Sequence, residues 1–379
     1  MSKIKMMKIL FTGGGSGGHV FPIIAVAREI KRMMPQETKL YYLGPKDDWV
    51  GIYLSQEEIE INEIFSGKIR RYFTPRAIAL NILDLFRVVI GFFQSLFVIF
   101  RINPDLVFSK GGYGSLPTVF AAKILGVPIF MHESDISPGL VNRITSKLAL
   151  EIFVAFEKTE YFKPEKMIPV GNPIRREVFS GGSEQGGKEL LGLIGGKPVV
   201  FIIGGSQGAQ RINDLVFLIL PDMLKEFEII HQCGTRNFQN VANESLVVAK
   251  GDFRKYYHIF PFLRENELRE AYFNADIIVS RAGSGAIFTI AALGKPSILI
   301  PLPESAQNHQ VKNAYIFAEK GAGLSLEQEN LTPQFFLEKL RLLSSDSTET
   351  QKMKAATKEF ARPMAAKVIA RYLLEYLMR

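Results

Sequence analysis

The chain has 379 residues, enough for about two domains of roughly 150 residues each. Its 47% hydrophobic and 22% charged residues exclude a disordered or collagen-like protein, and its one cysteine excludes an internal disulfide and a cysteine-cluster zinc site. The formal charge of +8 favours anionic partners, namely nucleotide phosphates, nucleic acid or an acidic membrane surface.

The first predicted element is a short apolar strand, Ile9–Phe11, followed by a glycine-rich turn and a helix over Ile23–Met33. In the turn, Gly13–His19, glycines let a ligand approach bare backbone, and the following helix offers free N–H groups to an anion. The spacing is neither the dinucleotide G-x-G-x-x-G nor a P-loop, because no Gly-Lys-Ser/Thr follows. His19 is placed either to act as a general base or simply to cap the turn.

Residues 65–101 combine basic side chains with an apolar run, Val88–Phe100. That run of 13 residues is shorter than the about 20 that cross a bilayer, and extending it to Ala77 takes in charged residues. Two interpretations stay open, a helix buried against the sheet and an apolar helix lying on an anionic membrane, whereas a true span is disfavoured. The basic residues are Lys68, Arg70, Arg71, Arg76, Arg87 and Arg101.

Further short apolar runs predict the remaining strands, and several are continuous, as is typical of parallel strands covered on both faces. In the first half they are Leu40–Leu43, Leu106–Phe108, Ile129–His132, Ile152–Ala155 and Ile168–Val170. In the second half they are Glu228–Gln232, Tyr257–Phe260, Ile277–Ser280 and Ser297–Ile300.

The strand, glycine turn and helix recur at Pro198–Phe227, with the turn at Gly204–Ala209. This repetition predicts two similar α/β domains in tandem. A third turn of small residues, Ser280–Ala286, follows another strand. Because ligands of open α/β sheets bind at the carboxyl ends of the strands, three such turns predict binding there. We place the domains at 1–173 and 174–361, with a helix over 362–379 that Pro363 separates from the preceding one.

Seven segments, taken together, resemble the MurG family of peptidoglycan glycosyltransferases, although none is specific alone. They occur in family order over nearly the whole chain: Phe11–Pro22, Lys110–Ser115, His132–Asp135, Val170–Arg175, Gly204–Ala209, Arg281–Gly283 and Ala291–Ala314. The resemblance implies an α/β fold of the GT-B type, with two Rossmann-like doubly wound domains facing a central cleft. Residues 1–173 would bind the acceptor and the membrane, residues 174–361 would bind UDP-N-acetylglucosamine, and the helix over 362–379 would return to the N-terminal domain. The resemblance also implies an inverting transfer of N-acetylglucosamine from UDP-N-acetylglucosamine to the C4 hydroxyl of undecaprenyl-diphospho-N-acetylmuramoyl-pentapeptide (lipid I), which gives lipid II.

The resemblance further implies roles for individual residues. His19 is the candidate base, with Asp135 and Glu133 as alternatives. The acceptor side would comprise Gly14, Gly15, Tyr113, Asn142 and Asn213. The donor side would comprise Ser16, Gly17, Gly18, Asp135, Arg175, Ser206, Leu263, Ser284, Gly285, Ala286, Ile287, Phe288, Thr289 and Gln310.

Two positions depart from the family pattern. Thr289 stands where the family usually has a glutamate that grips the ribose hydroxyls, and threonine does not reproduce that contact. Asp135 stands where the family usually has asparagine, which exchanges an amide for an anion.

The sequence contains no Asp-x-Asp clamp at a strand end, so no metal or other cofactor is expected beyond the substrate UDP-N-acetylglucosamine. The expected partners are lipid I, an anionic membrane surface bound through residues 65–101, and cell-wall and division proteins, but not nucleic acid, since no motif for it occurs. The expected location is the cytoplasmic face of the bacterial inner membrane, as a peripheral protein. The alternatives are a UDP-N-acetylglucosamine 2-epimerase-like enzyme and, because of Thr289, a catalytically weak scaffold that binds sugar nucleotides.

Overall fold

The chain folds into two α/β units, seen in a computed structural model that describes residues 6–68, 74–159, 161–205, 208–249, 251–345 and 347–379. Unit 1 comprises the chain up to Arg175 together with Met364–Arg379, and unit 2 comprises Arg176–Pro363. The boundaries placed after residues 173 and 361 lie two residues before these divisions, at 175 and 363.

Unit 1 is built on a seven-stranded sheet in which every neighbouring pair is parallel. Its strands are β1 (Met7–Thr12), β2 (Thr38–Pro45), β3 (Glu60–Ile64), β4 (Leu106–Ser109), β5 (Ile129–Glu133), β6 (Glu151–Val154) and β7 (Met167–Pro169). The order β3-β2-β1-β4-β5-β6-β7 reverses direction beside β1, as in a doubly wound sheet. The helices between the strands are α1 (Gly17–Met33), α2 (Asp48–Ser55), α3 (Pro75–Ile102), α4 (Leu116–Ile124) and α5 (Leu140–Thr145).

Helix α3 is held to unit 1 along a narrow stripe. Thr74 caps it by accepting a hydrogen bond from the Ala77 amide, and Pro75 occupies its first position. At Gly91 the backbone of Phe65 comes so close that a β-carbon would lie 1.8 Å from the Phe65 carbonyl oxygen. The buried positions are Ala77, Asp84, Gly91, Ser95, Ile99 and Ile102.

The rest of α3 is exposed. Only 22% of its most apolar 18-residue window is buried, which contradicts the interpretation of a helix buried against the sheet. Its exposed apolar side chains are Ile78, Ile82, Leu83, Leu85, Phe86, Val89, Ile90, Phe93, Phe97 and Phe100. In the described part of the chain it is the one helix long and apolar enough to cross a membrane, by length and composition alone.

Unit 2 repeats the topology with a six-stranded parallel sheet in the order β10-β9-β8-β11-β12-β13. Its strands are β8 (Val199–Ile203), β9 (Glu228–Gln232), β10 (Tyr257–Phe260), β11 (Ile277–Ser280), β12 (Ser297–Leu299) and β13 (Leu324–Ser325). Its helices are α6 (Arg176–Phe179), α7 (Glu184–Leu191), α8 (Gln210–Glu226), α9 (Phe238–Val248), α10 (Glu265–Asn274), α11 (Ser284–Leu293), α12 (His309–Glu319), α13 (Pro333–Ser344) and α14 (Thr348–Phe360). The prediction of two Rossmann-like domains is therefore confirmed.

The last helix, α15 (Ala365–Met378), belongs to unit 1, where it packs on α1. Ile369, Ala370, Leu373 and Leu374 join the core on the face of the sheet that α1 covers. As predicted, a break at Pro363 separates it from α14.

Candidate functional site

The turn after β1 packs directly on the turn after β4. The Tyr42 hydroxyl donates to the Gly13 carbonyl at 2.8 Å and fixes the start of the first turn. Gly15 has a φ of +84°, and a β-carbon there would lie 2.5 Å from the Tyr113 ring. Only glycine therefore fits at this position, since both the backbone angle and the space require it.

The N-terminus of α1 opens at this turn. Ser16 occupies the cap position, but its hydroxyl bonds to Nδ1 of His19 at 3.0 Å instead of capping the helix. The first turn of α1 carries no acidic side chain and contains Gly17 and Gly18. Its amide groups therefore suit an anion such as a diphosphate.

His19 lies between the two turns, and a β-carbon at Gly112 would come within 3.1 Å of its ring. Burial, and secondly the nearby Lys110 ammonium, lower the pKa of His19 to about 3. The imidazole is therefore neutral at physiological pH. The same environment makes it a weak proton acceptor, because its charged form is disfavoured.

The turn after β5 is organised around the Glu133 carboxylate. Its oxygens accept hydrogen bonds from the Asp135 amide at 3.0 Å, the Gly139 amide at 3.3 Å and Nδ2 of Asn142 at 2.8 Å. The other side-chain atom of Asn142, Oδ1, is buried and has no hydrogen-bond partner among the described residues. That oxygen faces Gly111, where a β-carbon would lie 2.2 Å away.

Lys110, which follows β4, is a buried lysine that is 2% exposed. Its Nζ donates to the Ser134 hydroxyl at 2.6 Å, and that hydroxyl donates to Oδ1 of Asn172 at 2.6 Å. The chain of hydrogen bonds thus joins segments that follow three strands of the sheet, namely β4, β5 and β7. Burial lowers the pKa of Lys110, and the charges of Glu133 and Asp135 oppose this effect.

Glu133 is also buried, and burial raises its pKa, an effect that the neighbouring Asp135 charge increases. Lys110 and the hydrogen bonds from the Asp135 backbone and from Asn142 act in the opposite direction. Burial and Lys110 also hold the pKa of His132 well below its usual value. The end of β5 therefore carries a carboxylate of increased proton affinity among neutral imidazoles.

An open pocket of about 570 Å³ lies on unit 1 beside Tyr113, between α3 and the segment that follows β3. Lys68 places its ammonium 4.9 Å from the centre of the Tyr113 ring. Arg87 and the Lys68 amide both donate to Asp84 on the wall formed by α3. The pocket thus adjoins the predicted acceptor side at Tyr113.

Arg175, a predicted donor contact, stacks its guanidinium on Phe21 of α1 at 4.0 Å.

In unit 2, the turn after β8 is tied to the loop after β10 by Gln232. Its Nε2 donates to the Gly205 carbonyl at 3.2 Å, and its Oε1 accepts from the Leu263 amide at 3.0 Å. The Leu263 amide is thereby engaged, so a base contact at Leu263 would fall to its carbonyl oxygen. Ser206, the predicted diphosphate contact in this turn, lies outside the described residues.

Asn213, predicted on the acceptor side, is buried in unit 2 with both side-chain polar atoms engaged. Its Oδ1 bonds to Nε2 of His231 at 3.0 Å, and its Nδ2 donates to the Cys233 carbonyl at 3.2 Å. These bonds hold α8 to the end of β9, so the side chain supports the turns and does not present itself to a ligand.

The N-terminus of α11 carries the clearest example in unit 2 of a buried polar group without a hydrogen-bond partner among the described residues. Ser284 is 4% exposed, and its Oγ has no hydrogen-bond partner among the described residues. It stands in the first turn of α11, where free amides favour an anion. Arg281, just before the helix, donates to the carbonyls of Ile300 and Pro301 and to Gln328.

Within the predicted uridine pocket, residues 284–289, the exposed or unpaired groups lie in the first turn of α11. Gly285 is exposed and Ala286 is half-buried, but Ile287 and Phe288 are buried core side chains, and Phe288 packs against Phe360. Any contact of Ile287 or Phe288 with uridine would therefore be made by the backbone, and their place in the donor site stays a prediction. The Thr289 hydroxyl donates to the Gly285 carbonyl at 2.7 Å, and Oε1 of Gln310 accepts from the Leu302 amide at 3.1 Å.

Sequence reasoning missed Lys110 and Gln232 as site residues. Both lie within or next to quoted motifs or predicted strands, but a lysine or glutamine there gives no sign of burial. Among the described residues no cluster of three or more His, Cys, Asp or Glu side chains is arranged to hold a metal ion.

Comparison with known proteins identifies the two units. Residues 9–154 match the glycosyltransferase family 28 N-terminal domain, and residues 199–369 match the glycosyltransferase family 28 C-terminal domain. The two models together cover more than half of the chain. The first match lies within unit 1, and the second covers most of unit 2 and runs into α15.

A UDP-N-acetylglucosamine--N-acetylmuramyl-(pentapeptide) pyrophosphoryl-undecaprenol N-acetylglucosamine transferase from Clostridium kluyveri is 38% identical over 97% of this chain and 100% of its own length. The crystal structure of Acinetobacter baumannii MurG has a similar fold, with a TM-score of 0.71 and 24% identity over 97% of this chain and 99% of that one. A UDP-N-acetylglucosamine 2-epimerase from Neisseria meningitidis shares the fold at a TM-score of 0.68, but at 16% identity over 97% of this chain and 100% of its own. The chain therefore belongs to glycosyltransferase family 28 and, within it, to the MurG family.

Proposed function

We propose that the protein transfers N-acetylglucosamine from UDP-N-acetylglucosamine to the C4 hydroxyl of the N-acetylmuramoyl group of lipid I, with inversion. The full-length identity to a transferase of that name is the observation that carries the proposal. The 2-epimerase is the weaker alternative, because its likeness at 16% identity reflects the fold alone.

In the proposed reaction the acceptor oxygen forms a bond to the anomeric carbon as the bond from that carbon to the UDP oxygen breaks. The hydroxyl proton passes to a base on the protein, and negative charge grows on the departing diphosphate. The first turn of α11, with the unpartnered Ser284 hydroxyl, is suited to receive that charge. The turns of unit 1 around Tyr113 and Asn142 are suited to the acceptor, since they place a buried unpaired amide oxygen there.

Among the three candidate bases, we favour Glu133. His19, with a pKa near 3, is a weak proton acceptor, and we assign it a neutral hydrogen-bonding role. Asp135 occupies a position where the family usually has asparagine, which takes up no proton, so a shared mechanism does not run through it. Glu133 has a raised pKa, as a base working near neutral pH requires.

The test of the reaction uses the purified full chain with UDP-N-acetylglucosamine and a short-chain lipid I analogue. UDP release that depends on the acceptor, with formation of a disaccharide lipid, is the expected result. Release of UDP with epimerised sugar in the absence of acceptor would instead establish the epimerase. Tight sugar-nucleotide binding without turnover would establish a scaffold.

The acceptor is carried on a membrane lipid, and we propose that α3 brings the protein to an anionic membrane surface. The exposed ridge of ten apolar side chains on α3 would enter the headgroup boundary, with Arg76, Arg87, Arg101 and Lys68 near it. Because α3 packs along its buried stripe on α4 and β3, we favour a helix that lies on the bilayer over one that spans it. This would make the protein peripheral, on the cytoplasmic face where UDP-sugars are available.

Vesicle flotation tests this assignment. Phe93→Ser with Phe97→Ser should reduce binding to vesicles containing anionic phospholipid about tenfold or more, since two large apolar side chains leave the interface. Leu218→Ser, at an equally exposed leucine of unit 2, is the matched control and should bind as the unaltered chain does. Equal binding by all three proteins would remove α3 as the membrane contact.

A further inference from the structure

Lys110 is the feature of unit 1 that the proposed reaction leaves unexplained. A buried ammonium is costly unless neighbouring charges and hydrogen bonds compensate for the lost water. The ammonium donates a hydrogen bond to a neutral hydroxyl, that of Ser134, at 2.6 Å. The charges that compensate for its burial are those of Glu133 and Asp135, in the turn after β5.

That turn carries two carboxylates close together. The Asp135 amide donates to the Glu133 carboxylate at 3.0 Å, so the two acidic residues share one tight turn. Ser134 lies between them in sequence and takes the hydrogen bond from Lys110. The ammonium is thus anchored to the residue that separates the two acids, on the inner side of the turn.

We propose that Lys110 and Asp135 are positioning residues that act on Glu133 in opposite directions. The Lys110 ammonium keeps the Glu133 carboxylate ionised although it is buried, and the Asp135 carboxylate keeps that group ready to accept a proton. The family pattern has an uncharged asparagine at 135, so this chain uses an added charge to adjust the same carboxylate. The inference rests on the proposed function, because it concerns the proton acceptor of that reaction.

The charged groups that act on Glu133 are Asp135, in the same turn, and Lys110, after β4. Lys110 also acts on two imidazoles of unit 1, those of His132 at the end of β5 and of His19 in the first turn of α1. Both imidazoles are held neutral by burial and by Lys110 itself, so they add no charge near neutral pH. The balance on Glu133 is therefore set by Lys110 and Asp135.

The experiment is a cycle of charge-removing variants, read in two ways. The acid limb of the kcat/KM profile reports on the reaction, and ¹³C NMR titration of the Glu133 side-chain carboxyl reports on the charge itself. Lys110→Gln, which retains an amide donor for Ser134, should raise both midpoints by about one pH unit. Asp135→Asn should lower both by at least as much, and the double variant should return close to the unaltered chain.

Two controls separate charge from structure. Ser134→Ala keeps the ammonium but removes its hydrogen-bond acceptor, and should leave the Glu133 midpoint nearly unmoved. Lys123→Gln removes an exposed charge of the same sign from α4, and should change neither reading. Should Lys110→Gln fail to fold, Lys110→Arg must preserve the midpoint and Asp135→Asn must still lower it.

The two readings separate two kinds of failure. A Glu133 carbon titration that does not respond to Lys110→Gln or to Asp135→Asn overturns the proposal. A titration that moves while the rate profile stays fixed supports the opposed charges but overturns Glu133 as the proton acceptor. Acceptor-independent UDP release would reject the proposed function without touching the carbon titration.

Discussion

The carboxyl ends of the two sheets occupy the same topological place but carry different chemistry. In unit 1, buried charged groups gather at the strand ends, with Lys110 and Glu133 both nearly inaccessible to solvent. In unit 2, the described turns carry no buried carboxylate; they present the N-terminus of α11, the unpartnered Ser284 hydroxyl and the Arg281 guanidinium, which is bonded to backbone carbonyls and to Gln328. Since both sheets have the same strand order, fold alone does not set this difference. In the reaction proposed above, unit 1 would handle the proton and unit 2 would hold the departing anion.

The largest expected effect concerns the proton-handling side. Glu133→Gln should lower kcat about 100-fold or more while leaving the dissociation constant of UDP-N-acetylglucosamine unchanged, because a general base acts on the transition state. Stopped assays of UDP release and isothermal titration of the donor measure the two quantities. His19→Gln should cost less and preserve the acid limb of the rate profile. A larger loss for His19→Gln, with that limb abolished, would return the base to His19.

The anion-holding side is tested by Ser284→Ala. Removing the unpartnered hydroxyl should weaken donor binding about five- to tenfold, as expected for one hydrogen bond to a charged group, with a smaller effect on kcat. Titration calorimetry with UDP gives the measurement. Ser297→Ala is the matched control, because the Ser297 hydroxyl is also buried and unpaired but lies within β12. Equal weakening in both variants would mean that Ser284 acts only through folding.

A smaller effect on donor binding by unit 2 is expected at Thr289. Thr289→Glu should tighten UDP-N-acetylglucosamine binding about threefold to tenfold, because a carboxylate can accept bonds from both ribose hydroxyls. Thr289→Gln, of the same size without the charge, controls for the space that the larger side chain takes at this buried position. If both variants bind the donor no more tightly than the unaltered chain, the ribose is held by another route.

The last prediction concerns stability in acid and not activity. The pKa of His19 is about 3 when folded and near 6.5 when unfolded, so the unfolded chain binds more protons between these values. Stability contributed by the neutral imidazole is full above pH 6.5 and is lost as the pH falls towards 3. Urea midpoints of His19→Gln should therefore decline less steeply than those of the unaltered chain over this range. Parallel curves would show that His19 does not have this depressed pKa.

The fold could be predicted from the sequence wherever an apolar strand is followed by a glycine turn. The strands that the sequence analysis missed were β3 and β13. Glu60–Ile64, at the sheet edge, has only two apolar residues, separated by two polar ones, and Leu324–Ser325 is too short to form an apolar run. The charged residues Asp84 and Arg87, which counted against a membrane-spanning helix in the sequence, lie within α3 and pair with each other at 2.9 Å.

The candidate site could be predicted less completely. The glycine turn after β1 was predicted as a binding turn, but its packing on the turn after β4, with close approaches at Gly15 and Gly112, was not. The motifs did not predict which polar atoms would be left without partners, since that depends on packing between distant segments. Lys110 shows the limit most clearly, because its burial arises only when three separate strand ends are assembled.

The position of α15 has a consequence for synthesis of the chain on the ribosome. This helix closes one face of unit 1, yet it emerges only after every residue of unit 2 has been made. Unit 2 is continuous and able to fold as it appears, whereas unit 1 must wait with part of its apolar surface uncovered. Unit 1 therefore matures last, so a chain stalled before Met364 would display a finished unit 2 beside an unfinished unit 1.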